Sequence, residues 1–249
     1  PRLCYKRIQE KLTEATMDDV TTAASARTRE RGRGGAAHVF ETLRQDIIAL
    51  TLAPGTVLSR AELQVRFGLS STPVRDALMR LQEEGLVDVF PQHATVVSAI
   101  DLEKARQGQF LRRSVELEIV RTLALKPDDV VVERLNSLIR QQTAFSRLGE
   151  HGAFTAADQA FHKTMYEQAN VSELWELVAR HSGHIDRLRR LHLPVPGKMR
   201  DVIRDHQAIV DAIAAGKPDA AQAALRDHLS RSLGFVETLR LSHPGYFRQ

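Results

Sequence analysis

At 249 residues the chain is long enough for two domains with separate cores, and its 43% hydrophobic content is ordinary for a soluble protein. No apolar run approaches the about eighteen residues of a membrane span, the N-terminal stretch has no signal-peptide apolar core, and the one cysteine, Cys4, cannot form an internal disulfide, so a cytoplasmic chain without a membrane partner is expected. The formal charge of +4 is unevenly placed: residues 1–35 hold eight Lys/Arg against five Asp/Glu, whereas residues 36–98 hold five against seven.

Residues 1–35 end in SARTRERGRGG, a poor core former, and are expected to be a flexible basic tail in which Arg27, Arg29, Arg31 and Arg33 can either meet phosphates or stay solvated. Residues 36–51 are amphipathic, with Val39, Leu43, Ile47 and Leu50 in one stripe, and predict a first helix. Leu52-Ala53-Pro54-Gly55 turns the chain into LSRAELQVRFGLSSTPVRDALMRLQEEGLVDVFPQHATVV (58–97). That run reads as a short helix with Leu63 and Phe67 inward, a stop at Gly68, and a second helix with Pro73 at its first position. Val74, Ala77, Leu78 and Leu81 face the core of that second helix, and Ser71, Thr72, Arg75 and Met79 lie opposite. Residues 86–90 and 95–99 are β-branched runs flanking Pro91-Gln92-His93, which predicts a hairpin with an exposed tip. The sum is a winged helix-turn-helix over 36–99. Such a motif sends its second helix into the major groove, so Ser71, Thr72, Pro73 and Arg75, with Gln92 and His93 in the wing, are the expected DNA contacts. Because residues 36–98 are net acidic, a few positioned arginines must supply the phosphate contacts.

LSSTPVRDALMRLQEEGLV resembles the GntR superfamily of bacterial transcription regulators, with the pattern S-x-T-P-V-R-x-A-L-x-x-L-x-x-x-G-L. The resemblance carries over to Thr72 and Arg75. It departs at Ser71, where members often carry Arg, and at His93 and Ala94, where they often carry Arg and Gly.

After Ala99 the pattern turns helical throughout. Segments are expected at about 101–125, 127–148, 152–169, 172–191, 197–215 and 218–240, broken at Gly149, Asn170-Val171, Pro194 to Gly197, and Gly216 to Pro218. The expected fold is mainly α: a winged helix followed by an all-α six-helix bundle over 100–240, with 241–249 a C-terminal tail. Six helices joined to a winged helix by almost no linker resemble the FCD sensor domain of the FadR branch of GntR regulators, and the count of six points to the VanR-like subgroup.

The helical half carries its own chemical pattern. Asp158 and His162 are four apart and so lie about 40° from each other on one helix face. His206 and His228 sit beside apolar stripes on the last two expected helices. Three imidazoles and a carboxylate suit a divalent transition metal such as Zn, Ni or Mn. With ten histidines in the chain, the residues alone also allow a chance grouping. The resemblance adds that many FCD domains carry D-x-x-x-H on one helix and two further histidines on the last two. It also implies an effector contact at Arg112, through the pattern R-x-x-[L/V]-E that ends at Glu116, with Arg113 the competing choice. His184 and Arg187 are expected as further lining.

The function expected is a ligand-responsive transcription regulator, a repressor, working as a homodimer on a palindromic double-stranded operator and answering to a small carboxylate effector. Two alternatives remain from the residues: a metal-dependent enzyme in the helical bundle, and a direct metal sensor without an organic effector. Against the enzyme, the chain shows no paired E-x-x-H of the di-iron type and would leave the winged helix without a purpose.

Overall fold

The computed structural model describes residues 34–90, 93–231 and 233–248. Nearly all of the basic segment at 1–35, with its arginines, and Gln92 lie outside them.

Helix α1 (34–48) buries Val39, Leu43 and Ile47 completely. Helix α2 (Arg60–Phe67) starts at Ser59, whose side chain accepts from the Glu62 amide at 3.3 Å, and stops at Gly68, which takes a left-handed φ of 63°. Helix α3 (Ser71–Glu83) begins two residues earlier than Pro73, so the proline lies inside the first turn, where its missing N–H costs nothing. Val74, Ala77, Leu78 and Leu81 are buried as their spacing requires. Strands β1 (Val87–Phe90) and β2 (Ala94–Val97) pair antiparallel from Val87–Val97 to Phe90–Ala94, and Val57 adds a single isolated bridge to Val96. One apolar cluster, from Val39 to Val97, holds this unit together.

Ser98 to Asp101 lead directly into the helical half. Helix α4 (Leu102–Leu125) is capped by the Asp101 carboxylate, which accepts from the Lys104 amide at 3.1 Å. Helix α5 (Asp129–Leu148) is capped by Asp128 and closed by left-handed Gly149. Helix α6 (His151–Gln168) follows, and the chain turns at Asn170, which takes a φ of 59°. Then come α7 (Glu173–His181), α8 (Gly183–His192), α9 (Lys198–Ala214), α10 (Pro218–Ser230) and α11 (Val236–Ser242). Helix α4 lies against α8, α9 and α10, and α5 against α6 and α9. Val120, Leu135, Phe161, Met165, Ile209 and Leu225 are among the residues at the centre of the second core.

Two expected segments are each divided. The stretch 172–191 breaks at Ser182, whose hydroxyl donates to the Val178 carbonyl at 2.8 Å while Gly183 starts a new helix. A Cβ at Gly183 would sit 2.7 Å from the Leu86 side chain, so the break brings α8 onto the winged unit. The stretch 218–240 breaks between Ser230 and Val236. Nor are residues 241–248 a loose tail. The Ile100 amide donates to the Tyr246 carbonyl at 2.7 Å, the Arg248 amide donates back to Ile100, and Phe247 is buried with Ile185, Leu188 and Leu239.

Candidate functional site

Three helices bring four predicted residues together. Asp158 and His162 project from α6, His206 from α9 and His228 from α10, and one donor atom from each lies within 4.8 Å of all the others. All four are buried. His206 Nε2 and His228 Nε2 are 3.3 Å apart, and Asp158 Oδ1 is 3.6 Å from His206 Nε2.

Behind each imidazole stands a polar group. Gln142 on α5 donates its amide nitrogen to the Ala157 carbonyl at 3.3 Å, which leaves Oε1 to face His206 Nδ1 at 2.8 Å. His206 must therefore carry its proton on Nδ1 and present a bare Nε2 to the centre. Asp205 Oδ2 faces His228 Nδ1 at 3.7 Å. Glu116 Oε2 lies 3.0 Å from His162 Nδ1, an ion-pair distance that falls short of hydrogen-bond geometry, and His162 Nε2 is buried without a partner. A second group orienting each imidazole is the usual company of a metal-bound histidine. The sequence reading missed Gln142 and Asp205 and gave Glu116 no role of its own.

Electrostatics put every member in its ligand form. Burial keeps the imidazoles neutral: His162 is pushed down to about 4, with Arg112 adding to the effect, and His206 and His228 are lowered too. Burial, the largest single influence, pushes the Asp158 carboxyl upward, but the surrounding groups, Arg189 at 2.6 Å foremost and Arg112 among the rest, together outweigh it and hold the carboxyl well below the usual carboxylate range. Neutral imidazoles and an ionised carboxylate are what a divalent cation requires. The 3.3 Å between the two Nε2 atoms is less than twice the about 2.0–2.1 Å of a zinc–nitrogen bond, so one ion can touch both.

Of the expected effector residues, Arg112 lies beside the cluster, against the Glu116 carboxylate that faces His162, and the other three lie away from it. Arg112 is buried and spent on Glu116 at 2.7 Å, and Tyr166 Oη approaches the same carboxylate at 3.4 Å. Arg113 lies beside the Phe110 ring. His184 and Arg187 form a junction with the winged unit. Arg187 Nη1 donates to the Ser98 carbonyl at 2.7 Å, and His184 Nδ1 receives both Arg187 Nη2 and the Asp101 amide. None of the four lines the cavity of about 460 Å³ that opens on Asp158 and His228. Arg189 does, and sequence spacing singled it out no more than its neighbours.

On the winged unit, Ser71, Thr72 and Arg75 are exposed at the start of α3, and Arg75 has only a loose approach to Asp76 at 3.7 Å. Pro73 is buried, so it shapes the first turn rather than the open face. His93 is exposed at the hairpin tip.

Comparison with known proteins agrees with both halves. Residues 36–97 match the family described as bacterial regulatory proteins, gntR family, and residues 109–231 match the FCD domain. The chain is 36% identical over 217 residues to an uncharacterized HTH-type transcriptional regulator of Streptomyces ambofaciens, covering 87% of this chain and 91% of that one. It is 28% identical over 211 residues to the HTH-type transcriptional repressor RspR of Escherichia coli, covering 85% and 92%. Its fold is similar to that of McbR/YncC from E. coli, with a TM-score of 0.70 at 19% identity over 84% of this chain and 98% of that one. These families and relatives are transcription regulators, not enzymes. The chain belongs to the GntR family of bacterial transcription regulators, with a winged helix-turn-helix joined to an FCD domain.

Proposed function

We propose that this regulator holds one divalent transition metal ion at Asp158, His162, His206 and His228, and that a small organic acid bound on that ion changes its grip on DNA. The observation that carries this reading is the convergence of four buried donors from α6, α9 and α10, each imidazole backed by a polar group. Zinc, nickel and manganese all suit the donor set. When bound, such an ion supplies a fixed positive charge on which a carboxylate can be held. The cavity opening on Asp158 and His228 favours an organic effector over direct sensing of the metal.

The DNA ligand is a double-stranded palindrome in the cytoplasm, read by a homodimer, because one winged helix reads only a half-site. Thr72 and Arg75 are the principal contacts, with Ser71 and His93 beside them. The 28% identity to a protein named as a repressor supports repression as the sense of regulation.

The test is a gel shift on the DNA upstream of the protein's own gene. Wild type, chelator-stripped and metal-restored, is compared with His162→Ala in the presence of organic acids. An acid that alters binding by the wild type only when metal is restored, and never by His162→Ala, supports the reading. A response to acid that ignores chelator and variant alike overturns it.

A further inference from the structure

The cavity beside the cluster is shared between the two halves of the protein. One wall is α1 of the winged unit, through Glu41, Gln45 and Ile48, with Ala49 in the turn just past its end; the opposite wall is sensor, from α6, α8 and α9. Asp158 and His228 put the proposed metal centre in the same space.

The charges in that lining are unevenly spent. Arg44 pairs with Glu84 at 2.7 Å, and Arg189 is held between Asp158 and Asp186. Arg190 and Lys198 also line the cavity, and neither has a carboxylate within ion-pair distance among the described residues. Lys198 stands 5.7 Å from the Phe235 ring centre. Burial, then the neighbouring Arg189, press its ammonium below the ordinary value, so an anion there would relieve it. His192, only 2% exposed, packs with its ring tilted at 38° to that of Phe235, the centres 3.8 Å apart. Two cations that line one cavity with no carboxylate at ion-pair distance point to a ligand that supplies anionic acceptors.

We propose that this cavity takes a small organic acid with two acid groups, one on the cluster side at Asp158 and His228 and the second answered by Lys198 and Arg190, with α1 as part of its wall. The first acid group rests on the proposed metal centre; the second stands on the cavity's own residues. A ligand in this place is read by the DNA-binding half without relay, because it touches the helix that underlies α3.

Full-length, metal-loaded protein would be titrated calorimetrically with butyrate, succinate and citrate at equal ionic strength, with metal content measured in every sample. Succinate or citrate should bind at least about tenfold tighter than butyrate, the worth of one charge-assisted hydrogen bond. Lys198→Met or Arg190→Gln should bring that ratio towards one without loss of metal. Ala49→Leu, an exposed change in the turn that ends α1, should weaken the diacid because it fills the shared wall. Equal binding of mono- and diacids, no binding of either diacid, or wild-type ratios in both cation variants would overturn the assignment. Wild-type affinity in Ala49→Leu would overturn the shared wall. A protein that carries no ion yet keeps a Lys198-dependent preference for diacids would sink the metal reading and leave this one standing.

Discussion

Gln142 decides which nitrogen His206 shows to the cluster. Its amide is fixed by the Ala157 carbonyl, so its oxygen demands a proton on His206 Nδ1. Gln142→Leu should leave that N–H buried and unpaired, at about 1–3 kcal/mol of stability in urea unfolding of stripped protein. It should also weaken metal binding about 10–100-fold in a chelator-competition titration. Unchanged metal affinity would remove Gln142 from the account. A second residue-scale test is Arg112→Leu. Its guanidinium is the main partner of fully buried Glu116, so its loss should destabilise by about 3–5 kcal/mol, far beyond the value of a surface pair. The four central donors were legible because two lie four apart and the others sit beside apolar stripes. Gln142 and Asp205 were not, because nothing local marks them, and Glu116 was marked only as the partner of Arg112. Two of them reach the site from other helices, and Asp205 was hidden as an ordinary charge beside His206.

At the scale of elements, the helices were read where caps and breakers coincide. Asp101, Gly149 and Gly216-Lys217-Pro218 bound their helices in the structure as their chemistry dictates. The break at Ser182 was missed because its cause is tertiary: α8 must start close to Leu86, and only the Ser-Gly pair hints at it. Gly108 on α4 marks another close approach. A Cβ there would stand 2.2 Å from the backbone carbonyl oxygen of His181, which cannot swing aside. Gly108→Ala should therefore force α4 and α7 apart, at about 1–3 kcal/mol or more in thermal unfolding, although alanine is the better helix former. On α3 the expectation concerns DNA. Arg75→Ala should cost about 1–3 kcal/mol of operator affinity at matched salt if Arg75 reads a base edge, and an unchanged shift would reassign the contact.

At the scale of the molecule, the two halves are joined by buried polar contacts as well as by apolar ones. Arg187, completely buried, holds the Ser98 carbonyl, and Arg44 spans from Glu84 at the end of α3 to the Ala179 carbonyl on α7. His184 is part of the same junction and must stay neutral, since both of its Nδ1 partners can only donate. Burial first, then Arg187, push His184 down to about 3 from an ordinary 6.5. The sign follows: the unfolded chain takes the proton first, so the contribution of His184 is complete above pH 6.5 and is lost as pH falls towards 3. It amounts to up to about 1.4 kcal/mol per pH unit. His184→Asn should flatten the acid limb of the stability profile by that slope, and an unchanged limb would place the titration elsewhere. Two domains and their order were readable from the switch from β-branched runs to continuous helical periodicity at Ala99. Their contact was not, because Arg187 and Arg44 look in sequence like solvated helix charges.

The central claim is that the sensor half is built around an ion. Its most direct test is elemental analysis of full-length protein purified without chelator, alongside His206→Ala prepared identically. The account predicts about one divalent transition metal ion per chain in the wild type and a loss of most of it in the variant. Equal metal content in the two proteins, or none in the wild type after dialysis against zinc, nickel and manganese, would contradict it.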